Sequence, residues 1–103
     1  MKTENRIYDR VQLAGEPALS CEGIGFAFAG SIAVLSLGGV QVRSAKTFTL
    51  GTVLPLRIRS GGDSVDLECI VRDFTPDGFG AEFVKLTPAH ESTLKTIIER
   101  LSH

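Results

Sequence analysis

The chain has 103 residues, with 11 basic and 12 acidic side chains and a formal net charge of −1. This length suffices for one domain with a single modest core. A general nucleic-acid-binding protein would carry a clear basic excess, so the charge balance argues against that class of partner. A small anionic ligand stays possible, because it needs only a local cluster of donors.

The first ten residues, MKTENRIYDR, are polar and lack both an apolar segment and a strand pattern. We interpret residues 1–10 as a flexible leader and residues 11–103 as a single domain. A signal peptide would need an apolar region near its start, and the longest apolar stretch further on is broken by Gly and Ser. These features predict a cytoplasmic protein that does not insert into a membrane.

Alternation of apolar and polar residues predicts six short strands after the leader. The first predicted strand is broken at Gly15 and Pro17. The other five lie at about residues 26–35, 40–43, 54–59, 65–74 and 79–86. The segments GG, SGGDS and TPDG between them are typical of tight turns.

The end of the chain predicts a helix. Thr87 is a suitable N-cap and Pro88 a suitable first helical residue. An apolar stripe follows at the spacing i, i+3, i+4 and i+7, formed by Leu94, Ile97, Ile98 and Leu101. The whole pattern predicts a mostly β protein, a six-stranded antiparallel barrel with a C-terminal helix that covers one opening.

Nothing in the sequence is typical of a catalytic or metal site. Ser36 lacks the surroundings of a nucleophile elbow, and neither His90 nor His103 has an obvious partner. Cys21 and Cys69 lie far apart in sequence and are interpreted as buried thiols, since a zinc site needs four ligands at suitable spacing. We therefore expect no enzymatic activity, no metal and no cofactor.

Two short segments are candidates for ligand binding. Arg6 and Arg10 in RIYDR present two planar guanidinium groups, which can bind phosphate in a bidentate manner or contact the edge of guanine. In SIAVLSLGG, Ser36 offers a hydroxyl group and Gly39 allows close approach of backbone to a ligand. Taken singly, the arginines are more consistent with hydrated surface charges, and the second segment is consistent with ordinary hairpin chemistry.

In this order, the two segments resemble the motifs of the PilZ domain family. Those motifs are Arg-x-x-x-Arg in the leader and Asp/Asn-x-Ser-x-x-Gly at the end of the second strand. The resemblance extends from Arg6 to Leu101 and includes GTVLPLRI, LECIVRDF and GFGAEF. It implies a β-barrel with a C-terminal helix that acts as a receptor for the bacterial second messenger cyclic di-GMP. It also implies that Arg6, Arg10, Ser36 and Gly39 bind this ligand.

One position departs from the family pattern. Val34 stands where the family has Asp or Asn, whose side chain is thought to accept hydrogen bonds from guanine. An unsatisfied donor costs about 1–3 kcal/mol, roughly a ten- to hundredfold loss of affinity. Two hypotheses follow. The protein binds cyclic di-GMP and relays it to an unidentified protein partner through ordering of the leader, or it is an adaptor that acts by protein contacts alone, for example in type IV pilus or motility machinery.

Overall fold

The structure is a computed structural model that describes residues 11–12 and 19–101. Within these ranges the elements follow in the order β1 (Val11–Gln12), β2 (Leu19–Gly23), β3 (Ala29–Leu35), β4 (Gly39–Arg43), β5 (Val53–Ser60), β6 (Asp63–Thr75), β7 (Gly78–Val84) and α1 (Pro88–Leu101). The predicted boundary between a leader at residues 1–10 and a domain at residues 11–103 stays a prediction, because residues 1–10 lie outside the described ones.

The strands form one antiparallel barrel. Neighbouring strands run in the order β3-β2-β5-β6-β7-β4, and β4 pairs back onto β3 to close the ring. The remaining strand, β1, pairs with β3 on the edge that β2 also uses: Val11 lies opposite Leu35, whereas Cys21 lies opposite Gly30. The two pieces therefore share one position in the ring, and the predicted six-stranded barrel with a C-terminal helix is confirmed.

An irregularity in β3 determines which of its side chains face outward. Ile32 pairs with Val42 and Val34 pairs with Gln41, so Ala33 is an extra residue relative to β4. Such a bulge shifts the alternation of side chains by one position. As a result Ile32 is fully buried, while Val34 lies on the outer face of the barrel.

The second of the predicted strands corresponds to β3 and is shorter in the structure than the sequence predicts. The prediction starts it at Phe26, but β3 begins at Ala29. The reason is a tight connection between β2 and β3, closed by a hydrogen bond from the Gly23 N–H to the Phe28 carbonyl (2.9 Å). The Phe28 ring packs edge-on against Phe48, with 5.4 Å between the ring centroids.

The helix α1 covers the barrel with its apolar stripe. Leu94, Ile97 and Ile98 are buried, and α1 contacts β6. Its first turn is capped reciprocally, as the Thr87 hydroxyl accepts from the His90 N–H (3.1 Å) and His90 Nδ1 accepts from the Thr87 N–H (3.2 Å). No helix in the described part of the chain is long and apolar enough to cross a membrane.

Both cysteines are free thiols inside the barrel. Burial raises the pKa of Cys21 to about 11. Burial, with a smaller contribution from the charge of Cys21, raises the pKa of Cys69 to about 12. Because the thiolate is the reactive form, both thiols are inert at neutral pH while the protein is folded.

We expect neither cysteine to react with iodoacetamide at about pH 8, below the usual thiol pKa, while both react in denaturant. The pKa of each folded thiol is raised above its unfolded value, so its stabilising contribution is complete below about pH 8.5. That contribution is lost as the pH rises towards about 11 for Cys21 and about 12 for Cys69. Mass spectrometry measures the labelling, and rapid modification of the folded protein would contradict the burial of the thiols.

Candidate ligand-binding site

The Ser36 side chain closes the turn between β3 and β4. Its hydroxyl oxygen accepts hydrogen bonds from the N–H groups of Gly38 and Gly39, both at 3.1 Å. The Ser36 N–H donates to the Gly39 carbonyl at 3.0 Å, and the hydroxyl donates to the same oxygen at 3.3 Å. These hydrogen bonds therefore stabilise the turn without a ligand.

Close packing between strands requires glycine at position 39. A Cβ atom there would lie 2.4 Å from the Ala81 carbonyl oxygen on β7. The neighbouring Gly38 carbonyl accepts from the Phe83 N–H at 3.0 Å, which fixes the turn to the same strand. The sequence predicts that Gly39 allows a ligand to approach the backbone. In the structure, the group that lies close to Gly39 is the backbone of β7.

Val34 lies beside this turn on the outer face of β3. Two glutamines are in register with it, Gln12 on β1 and Gln41 on β4. The row continues through Gly80 on β7 to Asp73 on β6. The Asp73 carboxylate lies directly against Gly80, since a Cβ added at Gly80 would lie 2.2 Å from it. Val34 thus lies in a row of mostly polar residues across neighbouring strands.

Gln41 is the residue of this row that sequence reasoning missed as a site candidate. Val40 and Val42 on either side are buried, so Gln41 points outward and is half-buried. Within the described residues its carboxamide makes no hydrogen bond. The alternation of β4 in the sequence already indicates an outward Gln41, but only the bulge in β3 reveals that it lies beside Val34.

Charges around the turn are balanced by ion pairs. Arg72 donates to Glu82 at 2.8 Å, and Glu82 lies opposite Gly39 in the β4–β7 ladder. Arg43 lies 3.5 Å from Asp77 further along the same face. Among the described residues, no three His, Cys, Asp or Glu side chains are grouped so as to hold a metal ion. An anionic ligand at this turn needs cationic groups beyond these strands.

The structure brings together only part of the predicted site. Ser36 and Gly39 meet in one turn, whereas Arg6 and Arg10 lie outside the described residues. The first described residue, Val11, pairs with Leu35, which directly precedes Ser36. The residue that follows Arg10 in the chain therefore lies next to the turn.

Comparison with known proteins gives the family. The sequence matches the PilZ domain family over residues 4–100. The chain belongs to this family. PilZ domains are receptor and adaptor domains rather than enzymes, and the family is one of cyclic di-GMP receptors. No curated protein matches the sequence as a relative.

Several solved structures share the fold of this chain. The PilZ domain of YcgR from Escherichia coli, solved with cyclic di-GMP, is 17% identical with a TM-score of 0.77, over 96% of this chain and 92% of that one. MotI from Bacillus subtilis, an inhibitor of motility, is 20% identical with a TM-score of 0.73, over 95% of this chain and 51% of that one. The MrkH–cyclic di-GMP complex from K. pneumonia is 14% identical with a TM-score of 0.77, over 97% of this chain and 53% of that one. This PilZ domain spans about half the length of the last two.

We expect Gly39→Ala to destabilise the domain by about 1–3 kcal/mol, because the new methyl group would overlap the Ala81 carbonyl and force the strands apart. Gly62→Ala is the matched control, since a Cβ there meets nothing within 4 Å; it should change stability by less than about 0.5 kcal/mol. Urea unfolding measures both variants. Equal stability of the two would contradict the packing role of Gly39.

Proposed function

We propose that this PilZ domain is a cytoplasmic receptor that binds cyclic di-GMP on the outer face of its barrel, at the end of β3. Arg6 and Arg10 bind the phosphates and guanines from one side, and the turn from Ser36 to Gly39 forms the other side. The observation that carries this proposal is the pairing of Val11 with Leu35, because it attaches the arginine-bearing leader beside that turn.

Chain geometry supports contact between the leader and the turn. Strands β1 and β3 are antiparallel, so the chain before Val11 and the chain after Leu35 extend from the same end of the pair. Arg10 precedes Val11 by one residue, which is about 3.8 Å between Cα atoms. The long side chain of an arginine attached there can reach a ligand that rests on Ser36.

The balanced charge of the strands supports a role for the leader arginines. Arg43 and Arg72 are already paired with carboxylates, so the barrel wall offers little net attraction to a ligand with two phosphates. A charge-assisted hydrogen bond contributes about 1.5–3 kcal/mol, and a guanidinium group binds phosphate oxygens in pairs. Arg6 and Arg10 supply this attraction.

Ser36 has one group to offer such a ligand. Its oxygen is committed to the N–H groups of Gly38 and Gly39, whereas its hydroxyl proton makes the longest bond of the turn, 3.3 Å to the Gly39 carbonyl. That proton can turn to a phosphate oxygen or a base edge without opening the turn. Ser36 thus combines a structural role as acceptor with a ligand-binding role as donor.

Binding of the ligand is proposed to act on a protein partner. When the leader closes over cyclic di-GMP, it changes the surface that a partner meets, and order–disorder transitions of a segment are a common form of switch. The protein performs no chemistry on the ligand. The partner is unidentified.

A second candidate function rests on Val34. Its apolar side chain on the outer face occupies the place of the family's Asp or Asn. A PilZ domain without cyclic di-GMP affinity would act by protein contacts alone, for example in type IV pilus or motility machinery. Calorimetry of the unmodified protein with cyclic di-GMP separates the two functions.

We expect Arg10→Ala to abolish cyclic di-GMP binding measurable by calorimetry, because the variant loses charge-assisted bonds to the ligand. Arg59→Ala is the control. Arg59 pairs with Glu22 on the surface, and such an exposed pair contributes little. The control should bind like the unmodified protein, and unchanged affinity of Arg10→Ala would reject the assigned site.

We expect Val34→Asp to tighten cyclic di-GMP binding, by at most about tenfold, which is the effect of one full hydrogen bond of about 1.4 kcal/mol. The side chain is on the outer face, so the barrel core should tolerate the change. Calorimetry gives the affinity and thermal unfolding gives the stability. Weaker binding at equal stability would mean that position 34 does not face the ligand.

A further inference from the structure

We infer that Gln41 is a ligand-binding residue of this domain and that its carboxamide oxygen accepts the guanine hydrogen bond for which Val34 has no acceptor. This inference rests on the proposed function, since it assigns a residue within the cyclic di-GMP site. Neither Arg-x-x-x-Arg nor Asp/Asn-x-Ser-x-x-Gly includes this position.

The register of the sheet places Gln41 next to the missing acceptor. Val34 and Gln41 are directly opposite on antiparallel strands, and both lie on the outer face. Cβ atoms of such a pair are about 4.5–5.5 Å apart. The glutamine side chain carries its carboxamide two carbons beyond Cβ, and this reach brings the polar group into the space above Val34.

The state of the carboxamide favours a binding role. Gln41 is half-buried, and within the described residues its side chain donates and accepts no hydrogen bond. A partly buried amide without a protein partner keeps its full capacity for an incoming ligand. Guanine presents an amino group as a donor, and an amide oxygen is a suitable acceptor for it.

Two other polar groups near Val34, those of Ser36 and Asp73, are less well placed. The Ser36 oxygen is occupied by two backbone N–H groups. Asp73 lies beyond Gly80, on strand β6, which β4 and β7 separate from β3, and its carboxylate lies against that glycine. Gln12 pairs with Val34 from the other side. It is therefore the alternative that the experiment must distinguish from Gln41.

A double-mutant cycle with calorimetry tests the assignment on the full chain, with cyclic di-GMP as the probe. Gln41→Met keeps the length of the side chain and removes its polar group, and we expect it to weaken binding about tenfold. In this background Val34→Asp should restore affinity, and its gain should exceed its gain in the unmodified protein. Ser20→Met is the matched control, an exposed residue on the adjacent strand β2 that should leave affinity unchanged.

Four outcomes would overturn the inference. If Gln41→Met binds like the unmodified protein, or if the effects of Gln41→Met and Val34→Asp simply add, Gln41 does not replace the acceptor. If Gln12→Met weakens binding and Gln41→Met does not, the role belongs to Gln12. These three results leave the proposed function intact, whereas the fourth, absence of binding by the unmodified protein, overturns both the inference and the proposed function. Circular dichroism confirms that each variant is folded.

Discussion

One extra residue in β3 controls what the outer face of this barrel presents. Without the bulge at Ala33, alternation from the buried Ile32 would turn Val34 into the core and Leu35 towards solvent. With the bulge, Leu35 fills the core and Val34 faces outward beside Gln41. The turn that follows then begins on the outer surface, where a ligand can reach it.

The motif at the end of β3 has a structural role, to which the proposed function adds a binding role. The Ser36 oxygen closes the turn, and Gly39 is needed because the Ala81 carbonyl of β7 lies where a side chain would be. The barrel therefore provides a preformed surface of nearly balanced charge. In the proposed receptor the attraction for phosphate comes from the leader. Binding of the ligand and ordering of the leader therefore occur together. This coupling is what a relay to a protein partner requires.

The sequence predicted the architecture well because the barrel depends on local signals, namely alternation, turn residues and the helix stripe. It could not place the start of β3, since Phe26 has strand-like neighbours but belongs to the connection that the Gly23–Phe28 hydrogen bond closes. It also could not show that Gln41 lies beside Val34, because a bulge leaves no mark in the apolar pattern. The roles of Arg6 and Arg10 stay predictions that depend on the family motif and on the position of β1.

The most direct test of the receptor function is titration calorimetry of the unmodified protein with cyclic di-GMP, compared with cyclic di-AMP. Both ligands carry the same phosphates, and only the first carries the guanine edge that arginine and glutamine side chains can recognise. We expect saturable binding of cyclic di-GMP and much weaker binding of cyclic di-AMP. No binding of cyclic di-GMP, or equal binding of both ligands, would contradict a guanine-specific site at the end of β3.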